Sequence, residues 1–175
     1  MHSLHRILIY IPECTSKEAK WEEQKDNIRR HAKVQTAEYY EQVFDWRETE
    51  TAGRWEEEYP QQVYRASDDL DWFIKELNDA MATQDYEIEY CLKQLKSDIG
   101  TDVEKIYQSV KQSKNTDSFS LHYLMKLSKL LNGEYINDSC FFDTHNFTAQ
   151  LSEETTEEIK QKPEDWALVM FDYHY

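Results

Sequence analysis

Three stretches of the chain have the hydrophobic pattern of β-strands. Residues 7–11 form a continuous, largely β-branched run that ends at Pro12, which predicts a buried strand. Two further strands are predicted at residues 140–148 and 166–175. The apolar residues around positions 43–46 suggest a strand in a less regular part of the chain.

Helices are predicted between these strands from apolar positions three to four residues apart and from their capping residues. The predicted helices cover residues 15–33, 67–83, 85–100, 101–110, 118–132 and 153–161. Ser/Thr-x-x-Glu capping boxes at 15–18 and 101–104 mark two of the starts. Ser67, whose hydroxyl can cap a helix, and Ser152 mark two others. Gly133 follows the fifth helix and predicts its end.

The order of these elements predicts an α+β fold: a small antiparallel or mixed sheet of about four strands with a mainly helical middle section. We expect a single domain over residues 1–175. Within it we distinguish a strand and helix part at 5–60, a helical section at 66–132 and a strand–helix–strand unit at 139–175. Three Gly and three Pro are few for an all-β protein, and 24 aromatic residues can supply a large core.

The charge of the chain is strongly acidic, with a formal net charge of −15 at pH 7. Direct nucleic-acid binding is disfavoured, because it requires cationic side chains to neutralise phosphates. Anionic membrane surfaces are disfavoured for the same reason. The three cysteines are widely spaced and form no Cys-x-x-Cys motif, and no apolar stretch is long enough for a membrane span. We therefore expect a cytoplasmic protein.

The acidic residues are concentrated in one part of the chain. Between positions 38 and 90, sixteen acidic residues face four basic ones, whereas the rest of the sequence is nearly balanced. Such a block predicts a partner-binding surface that attracts a basic protein. The candidate partner-binding residues are Glu48, Glu50, Glu56, Glu57, Glu58, Asp68, Asp69, Asp71, Glu76, Asp79, Asp85 and Glu89.

A second candidate site comes from a repeated Phe-Asp-x-His pattern at residues 142–145 and 171–174. Side chains two apart on a strand point to the same face. If the two strands were neighbours, Asp143 and His145 would meet Asp172 and His174, a ligand set suited to Zn²⁺, Mn²⁺ or Fe²⁺. The same carboxylates could instead orient the histidines for acid–base chemistry. In the simpler interpretation, the Asp and His side chains form local pairs on a solvent-exposed face of the strands.

The sequence also resembles a family signature. Phe44-Asp45-Trp46 followed by Gly53-Arg54-Trp55, together with a final strand containing Asp172 and His174, is similar to a pattern in small proteins of phages and bacterial mobile elements. Ala52 stands where that pattern has its first glycine, and the spacing from Trp46 to Gly53 is longer. The resemblance implies a mobile-element context without a defined activity. It also implies that Arg54, Trp55, Asp172 and His174 matter to the fold or to a site.

These observations lead to three hypotheses. In the first, the protein is an acidic interaction module that occupies the basic, nucleic-acid-binding surface of a partner such as a host defence nuclease. It would act as a nucleic-acid mimic without a cofactor. In the second, it is an enzyme that uses a divalent transition metal at the Asp-x-His residues. In the third, it is a structural or accessory protein with a solvated acidic face. The sequence assigns no catalytic residue.

Overall fold

The computed structural model describes residues 1–12, 21–99, 108, 111 and 119–175. Within these ranges, five strands form one mixed sheet, which confirms the α+β class. The strands are β1 (His2–Tyr10), β2 (Trp46–Glu48), β3 (Val63–Arg65), β4 (Phe141–Asp143) and β5 (Trp166–His174). Their order is β2-β5-β1-β4, and β3 also pairs with β5. β1 is parallel to β4 and antiparallel to β5.

β5 is the central strand of this sheet. All nine of its residues pair with β1 on one side, while β2 and β3 share its other side. Eight of the nine are buried, because helices cover both faces of the sheet. This double burial explains why the carboxyl-terminal stretch is a continuous hydrophobic run without the alternation of a half-exposed strand.

Five helices lie among the described residues: α1 (Trp21–Gln35), α2 (Ala37–Val43), α3 (Leu70–Ile99), α4 (Phe119–Leu131) and α5 (Glu153–Gln161). Ile28 and Ala32 of α1 pack on one face of the sheet with Phe171 and Tyr173. Helices α3 and α5 pack on the other face, where Phe73 contributes to the core. Helix α4 packs against the second half of α3 around Cys91.

The middle of the chain differs from the sequence prediction in one respect. The two helices predicted at 67–83 and 85–100 are a single helix, α3, of 30 residues. Thr83 does not interrupt it, because its hydroxyl donates to the carbonyl of Asp79 within the helix (2.9 Å). Gln84 is buried at this point and, with its amide turned to donate, reaches the carbonyl oxygens of Ser139 (3.1 Å) and Ala149 (2.9 Å). These hydrogen bonds of Gln84 support α3 at residues 83–85, where the sequence predicted one helix to end and the next to begin.

The segment before α3 also differs from the sequence prediction. The strand suggested around residues 43–46 begins only at Trp46, because residues 37–43 form α2. The short strand β3 has no counterpart in the sequence prediction. Both β2 and β3 are three residues long, and each is fixed by its pairing with β5. A strand this short has too few residues for a periodic pattern, so only the tertiary contact defines it.

Capping residues were predicted well where the structure describes them. The Ser152 hydroxyl accepts a hydrogen bond from the amide of Thr155 (3.0 Å) and begins α5. Gly133, at φ +69°, follows α4. At α3 the cap is Asp69, whose Oδ1 accepts from the amide of Trp72 (3.0 Å), whereas the sequence pointed to the Ser67 hydroxyl.

Two predicted helix starts, at 15–18 and at 101–104, and the helix at 101–110 lie outside the described residues. In the described part of the chain, no helix is both long enough and apolar enough to cross a membrane.

Candidate functional site

The two Asp-x-His motifs lie on strands that are not neighbours, because β1 runs between β4 and β5. Asp143 is opposite Leu8 of β1, and Asp172 is opposite Leu4. The two aspartates are separated by two strand spacings across the sheet and by four residues along the strands. This separation places their carboxylates on the order of 15 Å apart. The condition under which all four predicted ligands would converge is therefore not met.

The first motif does not present its two side chains together. β4 ends at Asp143, and the chain then turns, so His145 is not on a strand. The buried Asp143 carboxylate accepts hydrogen bonds from the amides of His145 (2.8 Å) and Asn146 (3.2 Å). It also accepts from the Asn146 side chain (2.8 Å). Asp143 thus closes a turn, and His145 lies exposed beside Tyr10 (ring centroids 4.8 Å apart).

The second motif does share one face of β5, as predicted, and the fold adds a residue that the sequence did not indicate. His2 is the direct cross-strand partner of His174. Their rings meet edge to face with centroids 4.8 Å apart, and we call these two residues the histidine pair. Trp46 of β2 is the partner of His174 on the other side. The row His2–His174–Trp46 therefore crosses three strands at one end of the sheet.

Each member of the histidine pair binds its own carboxylate through Nδ1. His2 Nδ1 lies 2.9 Å from Oδ1 of the buried Asp172, and His174 Nδ1 lies 2.7 Å from Oδ1 of the exposed Asp45. The hydrogen bond with His174 lowers the pKa of Asp45 below its ordinary value. Because an ionised carboxylate accepts only, each imidazole donates from Nδ1, and in the neutral form of the ring Nε2 is the nitrogen that can bind another ligand.

The position of Asp172 is fixed by the turn that contains Gly53. The amide of Arg54 donates to Asp172 Oδ2 (3.2 Å). Gly53 has φ +57°, and a Cβ built on it would lie 2.4 Å from the same oxygen. The backbone can approach the carboxylate this closely only because residue 53 has no side chain.

The segment at residues 44–55 and the final strand, which together carry the pattern noted in the sequence, therefore meet in space. Asp45 contacts His174, and the Gly53–Arg54 backbone contacts Asp172.

Comparison with protein-family models, curated proteins and solved structures gives no match. Within the described ranges, no group of three or more His, Cys, Asp or Glu side chains is arranged to hold a metal ion. The Cys140 thiol is held protonated at neutral pH, because burial raises its pKa to about 11.

Another histidine, His5, lies on the opposite face of β1 from His2 and is completely buried. Its Nδ1 lies 2.8 Å from the Tyr135 hydroxyl, and its Nε2 lies near Ser3 Oγ (3.0 Å) and the Asn137 carbonyl (3.2 Å). Tyr173 packs on its ring. Burial lowers the pKa of His5 to about 3, so this histidine is a neutral, hydrogen-bonded core residue.

The neutral state of His5 predicts how stability depends on pH. In the unfolded chain His5 takes up a proton near its ordinary pKa of about 6.5, whereas in the folded protein it remains neutral down to about pH 3. Its contribution is therefore complete above pH 6.5 and is lost as the pH falls towards 3. Between pH 7 and pH 5 the wild type should lose about 2 kcal/mol that a His5→Gln variant does not lose.

Urea unfolding at pH 5, 6 and 7 measures this difference in the free energy of unfolding. His31→Gln, which changes an exposed helix residue, is the matched control and should follow the wild type. Parallel pH profiles for wild type and His5→Gln would contradict the assignment.

The acidic block divides into carboxylates with local partners and carboxylates without them. Glu76, predicted as a partner-binding residue, is buried and bonded to Arg6 (2.8 Å). Glu50 pairs with Lys33 (3.0 Å), and Asp79 pairs with Lys75 (2.6 Å). Glu48 is half-buried and accepts a hydrogen bond from the Glu50 amide. Glu87 pairs with Lys126. Asp85 and Glu89 lie exposed on α3.

Six exposed acidic residues lie on two segments that meet through aromatic side chains, and we call them the acidic patch: Glu56, Glu57, Glu58, Asp68, Asp69 and Asp71. Three follow the turn at Gly53, and three surround the start of α3. Aromatic side chains join the two segments, because the Trp72 ring lies 6.4 Å from that of Tyr59 and 4.6 Å from that of Tyr64. No ion pair neutralises any of the six within the described part of the chain.

Proposed function

We propose that this protein is an acidic interaction module whose acidic patch occupies a basic, nucleic-acid-binding surface on a partner protein. It would act there as a nucleic-acid mimic. The observation that supports this function is the concentration of six exposed carboxylates, without cationic partners among the described residues, on two adjoining segments. In the mobile-element context that the resemblance implies, the partner is a nuclease or another DNA-binding protein of host defence.

The distribution of the paired acids supports this proposal. Carboxylates elsewhere in the block are matched by Lys33, Lys75, Arg6 and Lys126. Between residues 48 and 79, the exposed carboxylates without a cationic partner among the described residues are therefore those of the patch. A concentrated field of one sign accelerates association with an oppositely charged surface and makes the complex sensitive to salt.

The spacing of the exposed acids on α3 adds to this argument. Asp85 and Glu89 are four residues apart on the exposed side of the helix. Side chains at this spacing are about 5–6 Å apart, which is comparable to the distance between successive phosphates along one nucleic-acid strand. Asp85 lies fourteen residues, about 21 Å, beyond Asp71 along α3, so these two acids form a second exposed acidic position on the same helix.

The proposal is tested by reversing the charge of the patch. We expect the wild type to bind a member of a panel of purified basic nucleases at 50 mM NaCl, and duplex DNA to displace it. Glu56→Lys/Glu57→Lys/Glu58→Lys should weaken this binding at least tenfold, because three attractive charges become repulsive. Binding should fall at least tenfold between 50 and 300 mM NaCl. Surface-immobilised binding measurements give both numbers.

A second triple variant, Glu134→Lys/Glu158→Lys/Glu164→Lys, has the same net charge and changes exposed acids outside the patch. It should keep most of the affinity. An equal loss of affinity in both variants would show that only the net charge of the protein matters. Binding that does not depend on salt, or no binding at 50 mM NaCl, would reject the nucleic-acid mimic.

A further inference from the structure

The histidine pair brings two imidazole rings, each held by its own carboxylate, to one end of the sheet. His2 and His174 are direct cross-strand partners on one face of an antiparallel pair of strands. Such partners have Cβ atoms about 4.5–5.5 Å apart, so the two side chains lie side by side on the same face of the sheet. Each ring uses Nδ1 for a carboxylate and keeps Nε2 for another ligand.

The distance between the two rings suits a shared ion. A metal bound at about 2.1 Å by an imidazole nitrogen lies about 3.2 Å from the centroid of that ring. Two rings that share one ion can therefore have centroids at most about 6.4 Å apart. The observed separation of 4.8 Å meets this condition.

The carboxylates around the pair match the second layer of a histidine metal site. A histidine that binds a metal usually donates its other ring N–H to a carboxylate, which fixes the tautomer and raises the basicity of the ligating nitrogen. His2 has Asp172 in this role, and His174 has Asp45. Both members of the histidine pair therefore have the carboxylate partner that a metal-bound histidine usually has.

The local charge favours a cation over an anion. Asp45, Asp172 and Glu48 lie around the pair, with Glu48 opposite Asp172 on β2. Arg47, the neighbour of Glu48, is directed away and donates to Thr36 Oγ1 (3.1 Å). The amino-terminal ammonium also acts on Asp45. Three carboxylates against this one ammonium still make the surroundings of the pair attractive to a divalent cation.

We propose that His2 and His174 bind one divalent transition-metal ion of the zinc and nickel class through their Nε2 atoms. Imidazole ligands select these ions over Mg²⁺ and Ca²⁺, which prefer oxygen. Water completes the coordination, and Trp46 covers one side, with its ring centroid 5.6 Å from that of His2. This site is independent of the acidic patch and of the function proposed for it.

The experiment is a calorimetric titration of the full chain with NiCl₂ and ZnCl₂, with CaCl₂ as a comparison. We expect one Ni²⁺ or Zn²⁺ per chain and no Ca²⁺ at the same concentrations. His2→Asn and His174→Asn should each weaken binding at least tenfold, and Asp45→Asn should weaken it about tenfold through His174. His145→Asn, an exposed histidine outside the pair, should change it less than twofold.

Two further readouts distinguish the histidine pair from metal binding elsewhere on the chain. Ni²⁺ should quench part of the tryptophan fluorescence, and Trp46→Phe should remove that part. Chelation by the amino-terminal amine and His2 alone would survive His174→Asn, so unchanged binding in that variant overturns the proposal. Equal loss in His145→Asn and His174→Asn also overturns it. Circular dichroism of each variant verifies that the fold is retained.

Discussion

Glu76→Ala is expected to lower the free energy of unfolding by about 3–5 kcal/mol, although Glu76 belongs to the acidic block. Its side chain is 6% exposed, and that of Arg6 is 12% exposed. Glu76 Oε2 accepts from Arg6 Nε (2.9 Å) and from the Tyr59 hydroxyl (3.0 Å). Burial raises the pKa of Tyr59, so its hydroxyl keeps the proton that it donates. Removing the carboxylate leaves a buried guanidinium without its counter-charge.

The matched control lies one turn further along the same helix. Asp79→Ala removes an exposed carboxylate paired with Lys75, and we expect almost no change, because exposed pairs contribute little. Urea unfolding followed by circular dichroism measures both variants. The double variant Arg6→Met/Glu76→Met should recover most of the lost stability, since it leaves no unpaired charge. If Glu76→Ala is as stable as Asp79→Ala, the buried ion pair does not have the assigned role.

Gly53→Ala is expected to have the second largest effect, a loss of about 2–5 kcal/mol. A left-handed backbone costs an alanine about 1–2 kcal/mol. The new Cβ would also lie 2.5 Å from the Cβ of Asp172, a buried residue that cannot move freely, and such overpacking costs about 1–3 kcal/mol. Thermal or urea unfolding measures the loss.

The substitution at Gly53 also tests the link between this turn and the histidine pair. If Asp172 is displaced, its contact with His2 is lost, and Ni²⁺ binding should weaken together with stability. Arg54→Ala is the control: it removes an exposed side chain but keeps the backbone amide that donates to Asp172. Equal stability of the two variants would show that the close approach of Gly53 is not important.

The sequence predicted much of the local structure, because local signals are short-range. The cap at Ser152, the stop at Gly133 and the apolar side of α1 depend on residues within a few positions of one another. The same holds for Asp172 and His174, whose common face follows from the alternation of a strand. By contrast, the continuity of α3 depends on Gln84 contacting residues more than fifty positions away.

The candidate sites show the same division. The charge block was visible in the sequence, but the burial of Glu76 depends on the docking of α3 over Arg6. His2 lies before the strand predicted at residues 7–11, and nothing local indicated that it would belong to β1 or that its partner would be His174. That register joins residues 172 positions apart and is set by the packing of the whole sheet.

By itself, then, the sequence determined the α+β class, most helix ends, the concentration of acid and the shared face of Asp172 and His174. Only the tertiary structure decided that β1 separates the two Asp-x-His motifs, that His2 completes the second one, and which carboxylates remain exposed. The physical reason is that periodicity and capping act within a few residues. Strand order, register and ion-pair burial arise from contacts between distant segments, and no local pattern encodes them.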